Sequence, residues 1–168
     1  WRRPSASISC SGLASGRAPP RQPDSVRARS YLRPVQWGIV YYRKADGTVP
    51  GHEFLMGCPP NIRPRIAAVL EAVRGAPPPA FSGGGKWEAM HGPMGGYHEV
   101  RVTEPGRTHY RLFCILENGT PEELAERGFG GPQIAVITGV TKKNATVLSD
   151  AEYRRLVRDL GDGYLASL

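Results

Sequence analysis

Four basic side chains on neighbouring predicted strands are the residues of this chain best suited to chemistry. Arg101 and Arg111 lie in two successive segments that alternate apolar and polar residues, and Lys142 and Lys143 directly follow a third. Because alternate residues of a strand share a face, Arg101 and Arg111 should emerge on the same exposed face of a sheet, with the lysines closing one end. Guanidinium groups bind phosphates through paired hydrogen bonds, so the pattern predicts a phosphate-binding surface.

The predicted cationic face also carries side chains that suit RNA. His109 and Phe113 alternate with Arg111, and the loops before these strands supply His91 and Trp87. Aromatic rings stack on unpaired bases, and arginines hold the backbone. A structural interpretation stays open, because half-exposed strands commonly carry arginine and glutamate in cross-strand pairs. Glu99, two residues before Arg101, fits that interpretation.

The elements that would position these residues can be predicted from periodicity and turn residues. Apolar residues at helical spacing from Ile62 to Val73 predict a helix that ends at Gly75, before three prolines. Ser149 and Glu152 have the spacing of a capping box and predict the start of a C-terminal helix. Four further segments are β-branched, aromatic or alternating and are predicted strands: 35–42, 97–102, 109–116 and 134–140.

The order of these elements is strand, helices, three antiparallel strands and a final helix. It predicts an α+β domain over 35–168, with a small antiparallel, partly mixed sheet and helices on one face. The segment 49–57 is predicted to form a short helical turn, and 81–90 a loop leading into the sheet. The polar, glycine-rich segment 117–133 is expected to protrude.

The net charge of +7 is unevenly distributed and argues little about the domain. Residues 1–34 hold seven arginines and one acid, whereas residues 35–168 hold 15 Lys/Arg and 14 Asp/Glu. The first segment has no apolar period and is expected to be disordered. Its composition also suits a transit peptide, although it lacks an amphipathic period. A further interpretation is a mis-set start codon, with translation beginning near Val35, because the first methionine is Met56.

Several classes of protein are disfavoured by the composition. No stretch approaches the length of apolar sequence that spans a membrane. Three scattered cysteines predict neither a disulfide framework nor a zinc site, and fit a reducing cytoplasm. We therefore expect a cytoplasmic protein without a metal or other cofactor. The "SGGGK" at 82–86 lacks the spacing of a nucleotide-binding loop.

The succession of short motifs resembles the HigB-like, phage-derived branch of the RelE/ParE toxins. The quoted stretches are "YYRKADGTVPGHEFL", "KWEAMHG", "GYHEVRV", "HYRLFCIL" and "ITGVTKK". The resemblance covers about 35–160 in order and spacing, and the excursion at 117–133 is longer than the family's usual hairpin. It implies a microbial RNase-like fold and the toxin role of a type II toxin–antitoxin system. Such toxins cut mRNA in the ribosomal A site without metal and are neutralised by a helix-turn-helix antitoxin.

The resemblance also implies roles for individual residues. Arg101 and Arg111 would bind the scissile phosphate, Lys142 or Lys143 would supply a further cation, and Lys86 would correspond to a loop lysine. Cations at the developing charge stabilise the dianionic transition state of 2′-hydroxyl attack. The residues that this interpretation assigns to catalysis or substrate binding are Glu99, Arg101, Arg111, Lys142, Lys143, Lys86, His109 and Phe113.

One departure from the family leaves the proton carriers open. The family often places a Tyr or His near its C-terminal end, where this chain reads "NATVLSD". Glu99 could act as a base or pair with Arg101, and His91 and His109 are the other candidates, because an imidazole titrates near neutral pH. Two alternatives remain: a non-enzymatic, gyrase-poisoning toxin like the ParE branch, and an inactive phage-derived binding protein.

Overall fold

A computed structural model of the chain describes residues 36–77, 83–144 and 148–168. The prediction for residues 1–34 lies outside these residues. Within them, the domain is α+β, as the order of elements predicted. No helix of the described segments has the length and apolar character needed to cross a membrane.

Five strands form one mixed, open sheet. Its order is β1-β5-β4-β3-β2; β1 runs parallel to β5, and all other neighbours are antiparallel. The β3–β4–β5 meander was predicted, and its strands are longer than the sequence pattern indicated. The strands are β1 (Gly38–Tyr41), β2 (Trp87–Ala89), β3 (Tyr97–Glu104), β4 (Thr108–Glu117) and β5 (Gln133–Lys143).

Two helices cover the first face of the sheet, as predicted. They are α1 (Pro50–Gly57) and α2 (Arg63–Gly75), and α2 buries the apolar stripe that the sequence shows. The predicted alternation on β4 is confirmed, because Leu112 and Cys114 are fully buried against these helices. α1 lies close to β5, where the ring of Phe54 fills the space beside Gly139.

Two short elements occur in segments that were predicted to be irregular. β2 lies inside the predicted loop 81–90, and three residues are too few to show an alternating pattern. Helix α3 (Pro121–Glu126) lies inside the excursion 117–133 and begins with a capping box between Thr120 and Glu123. Its spacing is visible in the sequence, but six residues are too short for an apolar period to appear.

The C-terminal helix packs on the second face of the sheet, so the prediction that all helices share one face is wrong. It comprises α4 (Asp150–Tyr153), a π-helical turn (Arg154–Arg158) and α5 (Asp159–Leu165), and Ser149 caps it with Glu152 as predicted. The second face needs this cover because Phe113 and its neighbours there are apolar; they form a core with the helix. The members of this core include Met94, Tyr97, Phe113, Leu148, Tyr153 and Val157.

Candidate functional site

The strand register brings the predicted arginines together on the second face of the sheet. Arg101 of β3 lies directly opposite Arg111 of β4. Two residues before Arg101 on the same face, Glu99 of β3 lies opposite Glu88 of β2. Two carboxylates therefore adjoin two guanidinium groups, and we call these four residues the arginine–glutamate cluster.

Arg111 is buried, which corrects the prediction that it emerges on an exposed face. Its side chain is 7% exposed and donates from Nη1 to both carboxylate oxygens of Glu99, each at 2.9 Å. Glu99 is fully buried. A carboxylate in such a position needs a paired cation, because transferring an isolated charge from water is very unfavourable. Arg111 therefore neutralises Glu99, in a cross-strand arginine–glutamate pair that is buried rather than half-exposed.

Arg101 occupies the outer side of the same cluster. Its guanidinium contacts Glu99 through Nε and Glu88 through Nη1. Its side chain remains 37% exposed, in contrast to that of Arg111. Of the two arginines, Arg101 is therefore the one with access to a bound ligand.

A second row of polar residues follows the arginines toward the β3–β4 hairpin. His109 lies opposite Thr103 on one side and Lys142 on the other. The Thr103 hydroxyl is 3.0 Å from Nδ1 of His109 and fixes the orientation of the imidazole. His109 is half-buried, so one side of its ring reaches the surface. This row combines a cation with a group that can carry a proton.

Lys142 is attached to the C-terminal helix. Its Nζ lies 3.0 Å from the carboxylate of Glu152, the residue that completes the capping box of α4. Hydrogen bonds from the backbone and hydroxyl of Ser149, together with the one from Lys142, lower the pKa of Glu152 to about 2. The carboxylate is therefore charged at neutral pH, and it fastens the beginning of the helix beside the candidate site.

Two of the predicted site residues do not belong to this surface. Lys143 follows Lys142 in β5 and lies opposite Thr108, so strand alternation places it on the other face of the sheet. Phe113 shares the face of Arg111 but is fully buried and contacts the ring of Tyr153 edge-on. The prediction that Phe113 stacks on a base is therefore wrong, because the C-terminal helix covers it.

Lys86 lies in a groove at the edge of the sheet. The groove has a volume of about 500 Å³ and runs between α2 and β3. Arg65, Lys86 and Arg101 contribute to its wall, and its floor is aliphatic, formed by Ala68, Val69, Ala72 and Val102. No acidic residue is among its lining residues in the described part of the chain. We call this feature the cationic groove.

Arg65 was missed at the sequence level. It lies within the apolar stripe between Ile62 and Ile66, and an arginine between the apolar positions of a helix usually indicates only its solvated face. In the structure its guanidinium donates to the carbonyl oxygen of Thr103 at 3.1 Å, which attaches α2 to the exposed part of β3. Asn61 and Tyr110 both donate to Glu104 nearby and lower the pKa of that carboxyl. The first turn of α2 is thus fastened to the end of β3.

The other candidate proton carrier, His91, lies apart from the cluster, and so does a further histidine, His98. His91 follows β2 and is exposed. His98 packs on the first face, where its ring stacks on Trp87 with centroids 5.0 Å apart. Burial lowers the pKa of His98. Among the residues that the structure describes, no three His, Cys, Asp or Glu side chains are grouped closely enough to hold a metal ion.

The described basic residues form a row across the edge of the sheet, with the partly exposed Arg101 at its centre. Arg101 belongs both to the arginine–glutamate cluster and to the cationic groove. A polyanion lying across the sheet edge would contact the groove, then Arg101, then the row that holds His109 and Lys142. Comparisons of the chain with models of protein families, with curated proteins and with solved structures found no match.

Proposed function

We propose that this chain is the toxin of a type II toxin–antitoxin system, and that it cleaves mRNA on the ribosome without a metal ion. The motif order that resembles the RelE/HigB toxins supports this proposal, and so does the β-α-α-β-β-β-α-β-α order of the domain, in which the short α3 lies in the excursion between β4 and β5. The partners that follow from it are the mRNA, the ribosome and a helix-turn-helix antitoxin.

The observation that carries the proposal is the position of Arg101. This side chain is partly exposed, adjoins Arg111 and lines the cationic groove together with Lys86 and Arg65. Backbone phosphates of a single strand bind to such a series of cations, with little dependence on sequence. The groove would hold the RNA on one side of the scissile phosphate, and Arg101 would contact that phosphate.

The chemistry needs charge stabilisation and two proton movements. The 2′-hydroxyl oxygen attacks the adjacent phosphorus, the bond to the 5′-oxygen breaks, and the products are a 2′,3′-cyclic phosphate and a 5′-hydroxyl. In this scheme Arg101 and Lys142 stabilise the developing negative charge. His109, oriented by Thr103, transfers a proton at the reacting oxygens. Arg111 and Glu99 act as positioning residues that hold Arg101, because both are buried.

Expression of the full chain in bacteria, with mapping of mRNA 5′ ends and measurement of growth, tests the proposal. We expect growth arrest and new mRNA ends, and a reduction of cleavage on the order of 100-fold for Arg101→Ala, since removing one donor to the transition state has an effect of this size. Arg43→Ala is the matched control, because Arg43 is an exposed arginine that follows β1 at the opposite edge of the sheet. Cleavage by Arg101→Ala at the rate of the unmodified chain would show that the mechanism is wrong.

A second candidate function is supported by the neutralisation of both arginines. Because Glu88 and Glu99 pair with Arg101 and Arg111, the cluster is internally satisfied and can serve as a structural support for a protein interface. A toxin of that kind would act on a protein target such as gyrase. Growth arrest with intact mRNA and induction of the DNA-damage response would favour this second function over the first.

A further inference from the structure

A second pocket lies between the segment after β2 and the C-terminal helix. It has a volume of about 330 Å³. Met90, Pro93 and Met94 supply apolar surface on one side, and Arg154 and Arg158 of the π-helical turn line the other. Asp150 lines the pocket beside these arginines, so their side carries two cations and one carboxylate. A pocket of this size and lining is suited to a ligand with a flat apolar body, an anionic group and a hydrogen-bond donor.

The two arginines of this pocket differ from those of the arginine–glutamate cluster. In the segments that the structure describes, the guanidinium groups of Arg154 and Arg158 have no hydrogen bond or ion pair with another residue. They are four residues apart on one helix, a spacing at which like charges are neighbours and repel each other. An anion bound beside both guanidinium groups would remove that repulsion.

The backbone at this position supports a functional interpretation. The N–H of Asp159 donates to the carbonyl oxygen of Arg154, five residues back, which gives the turn its π-helical geometry. Single π-helical turns inside helices occur frequently at functional sites. The turn brings both arginines to the same pocket while Val157 stays in the core.

We propose that this pocket is a nucleotide subsite, in which a base lies against Met90, Pro93 and Met94 and its phosphate binds Arg154 and Arg158. Methionine sulfur packs favourably on aromatic rings, and arginine binds phosphate bidentately. Asp150, which also lines the pocket, accepts a hydrogen bond from an exocyclic amino group of the base. The subsite thus favours bases with an exocyclic amino group, such as adenine, over uracil, which has none.

The position of the pocket relates it to the proposed reaction, on which this inference rests. Met90 donates its backbone N–H to Tyr97, and Arg101 lies four residues further along β3. At about 3.3 Å per residue this separates the two positions by roughly 13 Å, a distance that a short single-stranded segment spans. The pocket would therefore hold a nucleotide that flanks the scissile phosphate.

Binding of a non-cleavable oligonucleotide tests the subsite independently of nuclease activity. The probe is a fluorescent 2′-fluoro hexa-adenylate, compared with 2′-fluoro hexa-uridylate and with the same backbone without bases. We expect the full chain to bind hexa-adenylate at least ten-fold more tightly than the abasic strand, with hexa-uridylate between them. R154Q/R158Q should bind hexa-adenylate at least ten-fold more weakly, with a log–log salt slope reduced by about 0.7 for the one phosphate that both arginines bind.

Arg155→Gln is the matched control, because Arg155 is an exposed arginine of the same turn that does not line this pocket. It should stay within two-fold of the unmodified chain. Equal losses in R155Q and R154Q/R158Q, or equal affinity for the adenylate and abasic strands, would overturn the inference, as would failure of the probe to bind.

If mRNA stays intact in cells while the binding pattern holds, the proposed nuclease function fails and the subsite stands. If cleavage occurs and R154Q/R158Q leaves its rate and sites unchanged, the subsite fails alone.

Discussion

Burial changes what a substitution of Arg111 can report about function. The resemblance implies that Arg111 contacts a phosphate. In the structure, however, its guanidinium is buried and donates to the carboxylate of Glu99. Strand alternation predicted correctly that Arg101 and Arg111 share a face. Their exposure could not be predicted from alternation, since it depends on which element covers that face. The apolar Tyr97, Phe113 and Ile115 on the same face were the available signal.

Removal of Arg111 should therefore destabilise the domain before it tells anything about catalysis. We expect Arg111→Ala to lower the free energy of unfolding by about 3–5 kcal/mol, because it leaves the Glu99 carboxylate buried without its partner. The double variant Glu99→Leu/Arg111→Met should recover most of this loss, since a packed apolar pair needs no compensating charge. Urea denaturation measures both. An Arg111→Ala variant as stable as the unmodified chain would show that Glu99 is not dependent on this pair.

His98 gives the domain a stability that depends on pH. Burial lowers its folded-state pKa below the ordinary value near 6.5, so the unfolded chain binds the proton more readily. The resulting stability is present above pH 6.5 and is lost as the pH falls from 6.5 toward the lowered folded pKa. Thermal unfolding between pH 8 and 5.5 should show this decrease, and His98→Phe, which keeps a ring on Trp87, should reduce it. His91→Gln, at an exposed histidine, is the control and should retain the full slope.

At the scale of elements, periodicity predicted the secondary structure of each segment, but it predicted less well against which face of the sheet a helix packs. Two patterns correctly predicted the main helices: the apolar stripe from Ile62 to Val73 and the capping box of Ser149 and Glu152. An amphipathic stripe predicts that one side of a helix is buried. It does not predict on which face of a sheet that helix packs. The C-terminal helix was consequently assigned to the wrong face, and the pocket beside Arg154 and Arg158 could not be foreseen. Two elements from different parts of the chain form that pocket.

The contact between α1 and β5 depends on a glycine. A Cβ at Gly139 would lie 2.0 Å from the ring of Phe54, so Gly139→Ala must displace that ring or the strand. We expect a loss of about 1–3 kcal/mol in the free energy of unfolding, the usual range for an overpacked contact. Gly57→Ala is the matched control, because nothing lies within 4 Å of a Cβ at that exposed helical position. It should leave stability unchanged or raise it by up to about 1 kcal/mol. Equal effects of the two substitutions would argue against the close packing of α1.

The distribution of charge matters more than its sum for the whole molecule. Residues 35–168 carry 15 Lys/Arg and 14 Asp/Glu, so the domain is close to neutral. The acids nevertheless pair with particular cations, as Glu152 does with Lys142. The lining of the cationic groove contains three basic residues and, within the described segments, no acid. A nearly neutral domain can therefore present a local surface that attracts phosphate, which total charge would not reveal.

The sheet order predicts a gradient of stability across the domain that ends beside the candidate site. β4 and β5 are central, long and paired on both sides, whereas β2 is a three-residue edge strand that pairs only with β3. Buried central strands open only when the whole domain unfolds, and short edges open locally.

Hydrogen exchange followed by mass spectrometry should find the slowest amides in β4 and β5 and much faster exchange in 87–89. Added 2′-fluoro hexa-adenylate should slow exchange in β2 and its flanking residues 86–94, because Lys86 lines the groove and Met90 the proposed subsite. Slow exchange of β2 in the free chain, at the rate of β4, would contradict the gradient. Protection by the oligonucleotide that spares this edge would place the RNA elsewhere.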